Sequence, residues 1–273
     1  MAAPLSIALA AFAAQPAQAA PAAPVAGVPA IDPSAECPPL PAGQDPRLAT
    51  CMIMVVQDGS MKLGGITQEI SEEMRIVVQA LQRTPTSNSE FTSVTMSGRP
   101  MKIPGGVFGL LGYPIPAIDD WPGVKVEVQP EYTGGFTFEL PNAGLDMKIN
   151  VLNALAPEGC AIGSAQDPLR LNLGVDFSEI TIVTEGDVND TFHHPPILNM
   201  PARDTTFSVP KTSGCWLLGP ITDHLAGLPS PSGDNTAEFD TYLALATYAP
   251  LTGAAARSAG DPVQRLKSLR IGG

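Results

Sequence analysis

His193 and His194 are the first residues to weigh for chemistry, because neighbouring imidazoles can hold a metal ion if other donors converge on it. The only other histidine is His224, so such a site would have to borrow carboxylates such as Asp187 or Asp190. Adjacent residues in an extended segment point to opposite sides, and Pro195 favours an extended His194. The pair therefore reads as solvated loop histidines, and no metal is assigned. Glu185-Gly186-Asp187-Val188-Asn189-Asp190 offers oxygen ligands, but Phe192 stands where a calcium loop counted from Asp187 needs glycine. A turn joining two strands is the expectation there. Ser164, in Gly163-Ser164-Ala165, lacks the second glycine of a nucleophile elbow. Neither a Walker A loop nor a G-x-G-x-x-G behind a strand occurs, so no catalytic residue and no cofactor is assigned.

Two other sets of residues suggest architecture and contact rather than catalysis. Cys37, Cys51, Cys160 and Cys215 are an even number, which in an exported chain means two disulfides. Three connectivities are possible, and loop closure favours Cys37–Cys51, which leaves Cys160–Cys215. Each bond is expected to contribute about 3–4 kcal/mol. The segment 104–117 carries no charge, and its Val107, Phe108, Leu110, Leu111 and Tyr113 can form an exposed apolar contact loop. The competing expectation is that Phe108 and Leu111 plug one end of the fold. The segment 228–236 is turn-rich, with Asp234 and Asn235 expected to bond their own backbone.

These residues must be positioned by strands. Apolar and polar residues alternate at Val124-Val126-Val128, Phe136-Phe138-Leu140, Leu145-Met147-Ile149-Val151 and Leu169-Leu171-Leu173, which places one apolar face on each strand. Further strands are expected at 52–57, 61–67, 75–81, 91–96, 177–183, 206–209 and 237–245. The fold class is all-β, an antiparallel β-sandwich or flattened barrel of about ten strands. One short helix is expected at 220–228, ended by Gly227 and Pro229.

Composition closes off several classes. Twenty-six glycines and 29 prolines among 273 residues exclude a helical bundle or coiled coil. A net charge of −12 argues against nucleic acid as a partner, because phosphate binding needs clustered Lys and Arg. Residues 1–31 hold no charged side chain, and an apolar run leads to Ala17-Gln18-Ala19, the pattern a signal peptidase reads. The expected organisation is a signal peptide at 1–19, a Pro/Ala-rich linker at 20–36, one β domain at 37–250 and a flexible basic tail at 251–273. A transmembrane span is not expected beyond the signal.

Five phrases occur in a fixed order: Met61-Lys62-Leu63-Gly64-Gly65; Pro104-Gly105-Gly106-Val107-Phe108-Gly109-Leu110; Gly159-Cys160-Ala161-Ile162-Gly163-Ser164; Gly214-Cys215-Trp216-Leu217-Leu218-Gly219; and Gly227-Leu228-Pro229-Ser230-Pro231-Ser232-Gly233-Asp234-Asn235-Thr236-Ala237. Over about residues 37–246 this order resembles an uncharacterised family of secreted actinobacterial proteins. The resemblance implies compartment and a β-rich fold, and no activity. Asp234 departs from it, standing where the family has Asn, and so does the basic tail. The functional expectation is a secreted or cell-envelope-associated, acidic, non-catalytic structural or binding protein. Its expected partners are envelope components or a second copy. The alternatives are a binder of an apolar ligand or envelope lipid, and an envelope hydrolase whose site is not visible in sequence.

Overall fold

The computed structural model describes residues 27–251 together with Val263 and Leu266. The signal-peptide expectation and most of the basic tail lie outside the described residues. The chain divides into two units, Met1–Ala30 and Ile31–Gly273. In the first, Gly27–Ala30 are described and begin with a turn. The second holds the whole sheet.

Fourteen antiparallel strands form that sheet. In chain order they are β1 (Ala49–Leu63), β2 (Ile66–Glu69), β3 (Met74–Leu81), β4 (Glu90–Gly98), β5 (Met101–Lys102), β6 (Glu127–Glu139) and β7 (Asn142–Leu152). Then follow β8 (Ala161–Ile162), β9 (Leu169–Val175), β10 (Thr181–Thr184), β11 (Ile197–Asn199), β12 (Ala202–Asp204), β13 (Thr212–Ser213) and β14 (Thr236–Thr247). Between residues 27 and 251 the α-helices are α1 (Pro33–Glu36), α2 (Gly106–Leu110) and α3 (Gly219–Ala226). The count exceeds the expected ten because five strands are only two or three residues long, too short to leave an alternation in the sequence.

The main path runs β4-β3-β1-β14-β12-β9-β7, and β7 pairs with β6 along its other edge. The sheet curls until its ends meet without a ladder. At this seam Gln129 Nε2 donates to the Gly98 carbonyl at 2.7 Å, and Phe91 and Phe136 stack edge to face with centroids 4.9 Å apart. The alternating residues point inward as the sequence implies: Val126, Val128, Phe138, Leu145, Met147, Ile149, Leu169 and Leu171 are all buried in one interior core.

β1 departs from alternation. Cys51–Val56 is buried on both faces, which is how a continuous apolar run behaves when its sheet is covered twice. Its outer face, with Ile53, Val55, Val77, Ala244 and Ala246, carries a second small core under Ile31, Cys37, Phe192 and Tyr248. Residues 31–36 are therefore laid on the sheet: Asp32 caps α1, and Glu36 pairs with Arg75 at 2.9 Å. Of the tail, Val263 and Leu266 are helical, and Leu266 is buried in the interior core.

Four expected strands are redrawn. The run Val124–Val128 becomes strand only from Glu127, because the Val124 and Lys125 N–H groups both turn back to the Trp121 carbonyl at 2.9 Å. Residues 61–67 form the end of β1, a Gly64-Gly65 turn and the start of β2. Residues 206–209 contribute one isolated bridge, Val209 to Ser230. The chain leaves β12 early because the Asp204 carboxylate accepts from the Thr206 N–H and hydroxyl, both at 2.7 Å, and turns the backbone. Residues 177–183 become a strand only from Thr181, because Asp176 holds Ser178 in a similar turn at 2.8 Å.

Candidate functional site

Both expected disulfides are formed, Cys37–Cys51 and Cys160–Cys215. The second ties the segment behind β7 to the entry of α3, with α-carbons 4.3 Å apart. Ser164 makes the tight turn expected beside it, exchanging hydrogen bonds with Asp167 at 3.0 Å.

The histidines correct one step of the sequence reasoning. They do not diverge. Residues 190–194 form a helical turn in which the His194 N–H donates to the Asp190 carbonyl at 2.9 Å. His193 Nδ1 then lies 2.8 Å and His194 Nδ1 3.9 Å from the Asp190 carboxylate. The hydrogen bond from His193 holds the Asp190 carboxyl below its ordinary value. Local capping overrode the extended preference before proline. Among the described residues no three His, Cys, Asp or Glu side chains are grouped to hold a metal ion, and neither ring bonds a serine hydroxyl. His224 is exposed on α3.

The apolar loop divides as neither expectation had it. A five-residue helix, α2, forms inside it, hidden in the sequence by its glycines. Gly106 is required there: φ is +53°, and a β-carbon would lie 2.1 Å from the Val124 carbonyl oxygen. Val107 and Leu110 pack against the interior core, while Phe108 is half-buried. Leu111 and Tyr113 project into solvent.

They do not project alone. Ten large apolar side chains are exposed among the described residues, and nine of them sit on three segments. The first segment carries Leu111, Tyr113, Ile115 and Trp121; the second Leu152 and Leu155; the third Trp216, Leu217 and Ile221. These segments adjoin. Asn153 Nδ2 donates to the carbonyls of Gly123 and Lys125 at 3.1 and 2.7 Å, joining the first two. The Cys160–Cys215 bond joins the second to the third. Leu110 of α2 and Thr222 of α3 line one cavity, so the first and third flank the same end of the barrel. The result is an apolar crown. Tyr113 is 77%, Trp216 83% and Leu217 89% exposed.

Trp216 is also the one non-glycine residue in the left-handed region among the described residues, at φ +49°. Such a backbone costs of order 1–3 kcal/mol, and nothing is recovered by burying the indole. Charges bordering the crown are neutralised in place: Lys102 Nζ pairs with Asp120 at 2.6 Å and Asp119 at 3.0 Å. These contacts raise the Lys102 pKa and lower that of Asp120. The sequence reasoning missed Trp216 and Leu217 because apolar residues beside a disulfide cysteine read as core. Their position between Gly214 and Gly219, with no alternation, was the available signal.

Inside the crown lies a cavity of about 40 Å³. Four methionines line it, Met61, Met74, Met101 and Met147, and Gln68 is one of its two polar lining side chains. A separate open groove of about 700 Å³ runs over the outer face of β6 and β7, a size that suits small ligands. Four of its charged side chains pair off within it: Lys125 with Glu127 at 2.9 Å and Lys148 with Glu131 at 3.1 Å. Asn150 Nδ2 donates to Glu131 at 2.8 Å and, with Lys148, keeps that carboxyl below its ordinary value. Compared with known proteins, the chain matches no family model, no curated protein and no solved structure.

Proposed function

We propose that the protein is exported and acts at the cell envelope as a non-catalytic binding protein, docking through its apolar crown on a lipid surface. The observation that carries this reading is the concentration of nine exposed apolar side chains at one end of the barrel. Patches of this kind on a soluble body mark contact sites. Trp and Tyr suit a membrane boundary, with an apolar ring and a polar edge. Export is supported by the uncharged apolar start and by two disulfides. Among the described residues no helix is long and apolar enough to cross a membrane. The resemblance to secreted actinobacterial proteins supports the same compartment.

The test is flotation with phosphatidylcholine vesicles. The wild type should float with them, with little dependence on salt, because the contact is apolar and the chain is acidic. A Tyr113→Ser, Trp216→Ser, Leu217→Ser triple variant should lose at least tenfold in binding at an unchanged melting temperature, since all three side chains are exposed. A wild type that stays in the aqueous fraction overturns the reading. So does a wild-type dimer in sedimentation that the triple variant abolishes, which would assign the crown to a second copy.

A further inference from the structure

The open groove on β6 and β7 and the apolar crown share a wall. Leu152 belongs to both, exposed among the crown's side chains and lining the groove. Trp121 of the crown stands between the lining residues Asp120 and Pro122, and Leu155 between Ala154 and Ala156. Tryptophan and tyrosine rings settle at the depth of lipid headgroups. A body seated on a bilayer by the crown therefore carries the groove beside those headgroups. Outward side chains of adjacent strands furnish the groove, and the register sets Glu131 opposite Lys148. Glu131 is held from two sides, by Lys148 at 3.1 Å and Asn150 Nδ2 at 2.8 Å, and Lys125 holds Glu127 at 2.9 Å. Each group keeps hydrogen-bonding capacity beyond its pair, because an ammonium has three N–H donors and a carboxylate about four acceptor sites. Donors and acceptors thus lie side by side at positions fixed by one another.

That arrangement discriminates among headgroups. A phosphate would meet Glu127, Glu131 and the exposed Glu158, all of which line the groove, while both lysines there are already neutralised. A quaternary ammonium would leave the lysine N–H donors unused. A sugar hydroxyl both donates and accepts, so it uses the two kinds of group together. The volume of about 700 Å³ falls within the range of small-ligand sites, about 300–1,000 Å³. We infer that the groove binds the sugar headgroup of an uncharged glycolipid whose acyl chains stay in the bilayer under the crown. The inference rests on the lipid-docking reading for the source of the sugar, but the groove itself is tested without a membrane.

Digalactosylglycerol and diglucosylglycerol, the soluble headgroups of two neutral glycolipids, would be titrated into full-length protein. The side-chain amide signals of Asn150 and Asn153, both in the groove lining, would be followed by NMR. At least one headgroup should shift both signals saturably. Glu131→Ala and, separately, Glu127→Ala should each weaken that binding about tenfold at a melting temperature near wild type, since both carboxylates are partly exposed. In flotation, phosphatidylcholine vesicles carrying the matching glycolipid should bind about tenfold tighter than phosphatidylcholine alone, and vesicles carrying phosphatidylglycerol should not. If neither headgroup moves the amide signals, the groove is not a sugar site. Tighter binding to phosphatidylglycerol than to glycolipid refutes the headgroup class. A soluble headgroup bound as tightly as the glycolipid vesicles assigns the groove to a free glycan and overturns the lipid source. Failure of vesicle docking leaves the titration readable, so the two readings fail separately.

Discussion

The side-chain oxygen of Asn235 accepts a hydrogen bond from the Gly64 backbone N–H at 2.8 Å, across 171 residues of chain. Its Nδ2 donates to the carbonyls of Pro231 at 2.8 Å, Phe207 at 3.1 Å and Ser230 at 3.5 Å. The residue is wholly buried. Gly64 sits at φ +60°, where a β-carbon would come within 2.5 Å of the Ala226 oxygen, and the Gly65 N–H donates to that oxygen at 2.8 Å. One side chain thus locks the β1–β2 turn to the loop before β14, and that turn in turn holds the end of α3 through Gly65. It reaches beyond the local turn the sequence suggested.

Asn235→Ala should therefore be among the most damaging polar substitutions in the protein. It leaves the Gly64 N–H and the Phe207 carbonyl without the partner they have in the wild type, while the Pro231 carbonyl keeps the Asp234 N–H. At about 1–3 kcal/mol per orphaned group, a loss of about 2 kcal/mol or more is expected. Asn235→Asp should be worse, because a carboxylate would face three carbonyl oxygens. Denaturant midpoints measure both, and an Ala variant within about 0.5 kcal/mol of wild type would show that the lock carries no weight.

Much of the fold was legible where one face of a strand meets the core and the other meets water. The Leu145–Val151 and Leu169–Leu173 alternations gave inward faces correctly. Legibility failed where that condition fails. β1 and β14 are covered on both sides, so alternation could not announce the outer core over Ile53 and Ala244. The short strands β5, β8 and β13 exist only through their partners. The crown was half legible, since its Leu111 and Tyr113 stood in an uncharged loop while Trp216 and Leu217 hid beside a cysteine. Gln68 left a trace: in Ile66-Thr67-Gln68-Glu69-Ile70 it occupies an inward position between two isoleucines, where a polar residue is out of pattern.

Val126→Asp and Glu127→Ala, neighbours in sequence, should differ sharply. Val126 is buried in the interior core, and an unpaired carboxylate there costs several kcal/mol, comparable with the stability of a whole domain. Glu127 faces out and makes one partly exposed pair with Lys125 at 2.9 Å, so its removal should cost less than about 1 kcal/mol. Val126→Asp is expected not to fold, while Glu127→Ala melts near wild type. Equal melting temperatures would place the strand in the wrong register.

Tyr248 gives the outer core a dependence on alkaline pH. Its hydroxyl donates to the Pro38 carbonyl at 2.6 Å and accepts from Gln79 Nε2 at 2.9 Å. Burial pushes its pKa above the ordinary tyrosine value, outweighing the hydrogen bond from Gln79. The folded pKa lies above the unfolded one of about 10, so the fold prefers the neutral phenol. This contribution is fully present below about pH 10 and is lost as pH rises through the folded value. Tyr248→Phe should be less stable than wild type at neutral pH and should flatten the decline above pH 10. Parallel stability curves for the two proteins at high pH would refute the assignment.

The ladder between β1 and β14 joins Thr50 with Thr247 and Lys62 with Thr236. The most deeply buried strand in the first third of the chain thus finds its main neighbour only in the last. A ribosome or a translocation pore delivers residues in order, and the central ladder cannot close before the final strand has emerged. Until then the β1 run Met52–Val56, buried on both faces in the folded protein, is apolar and unsheltered. Such long-range pairing folds slowly and exposes its strands to association on the way. The central ladder therefore closes only after the last strand has been made, and through the whole of synthesis β1 has β3 but not β14 beside it.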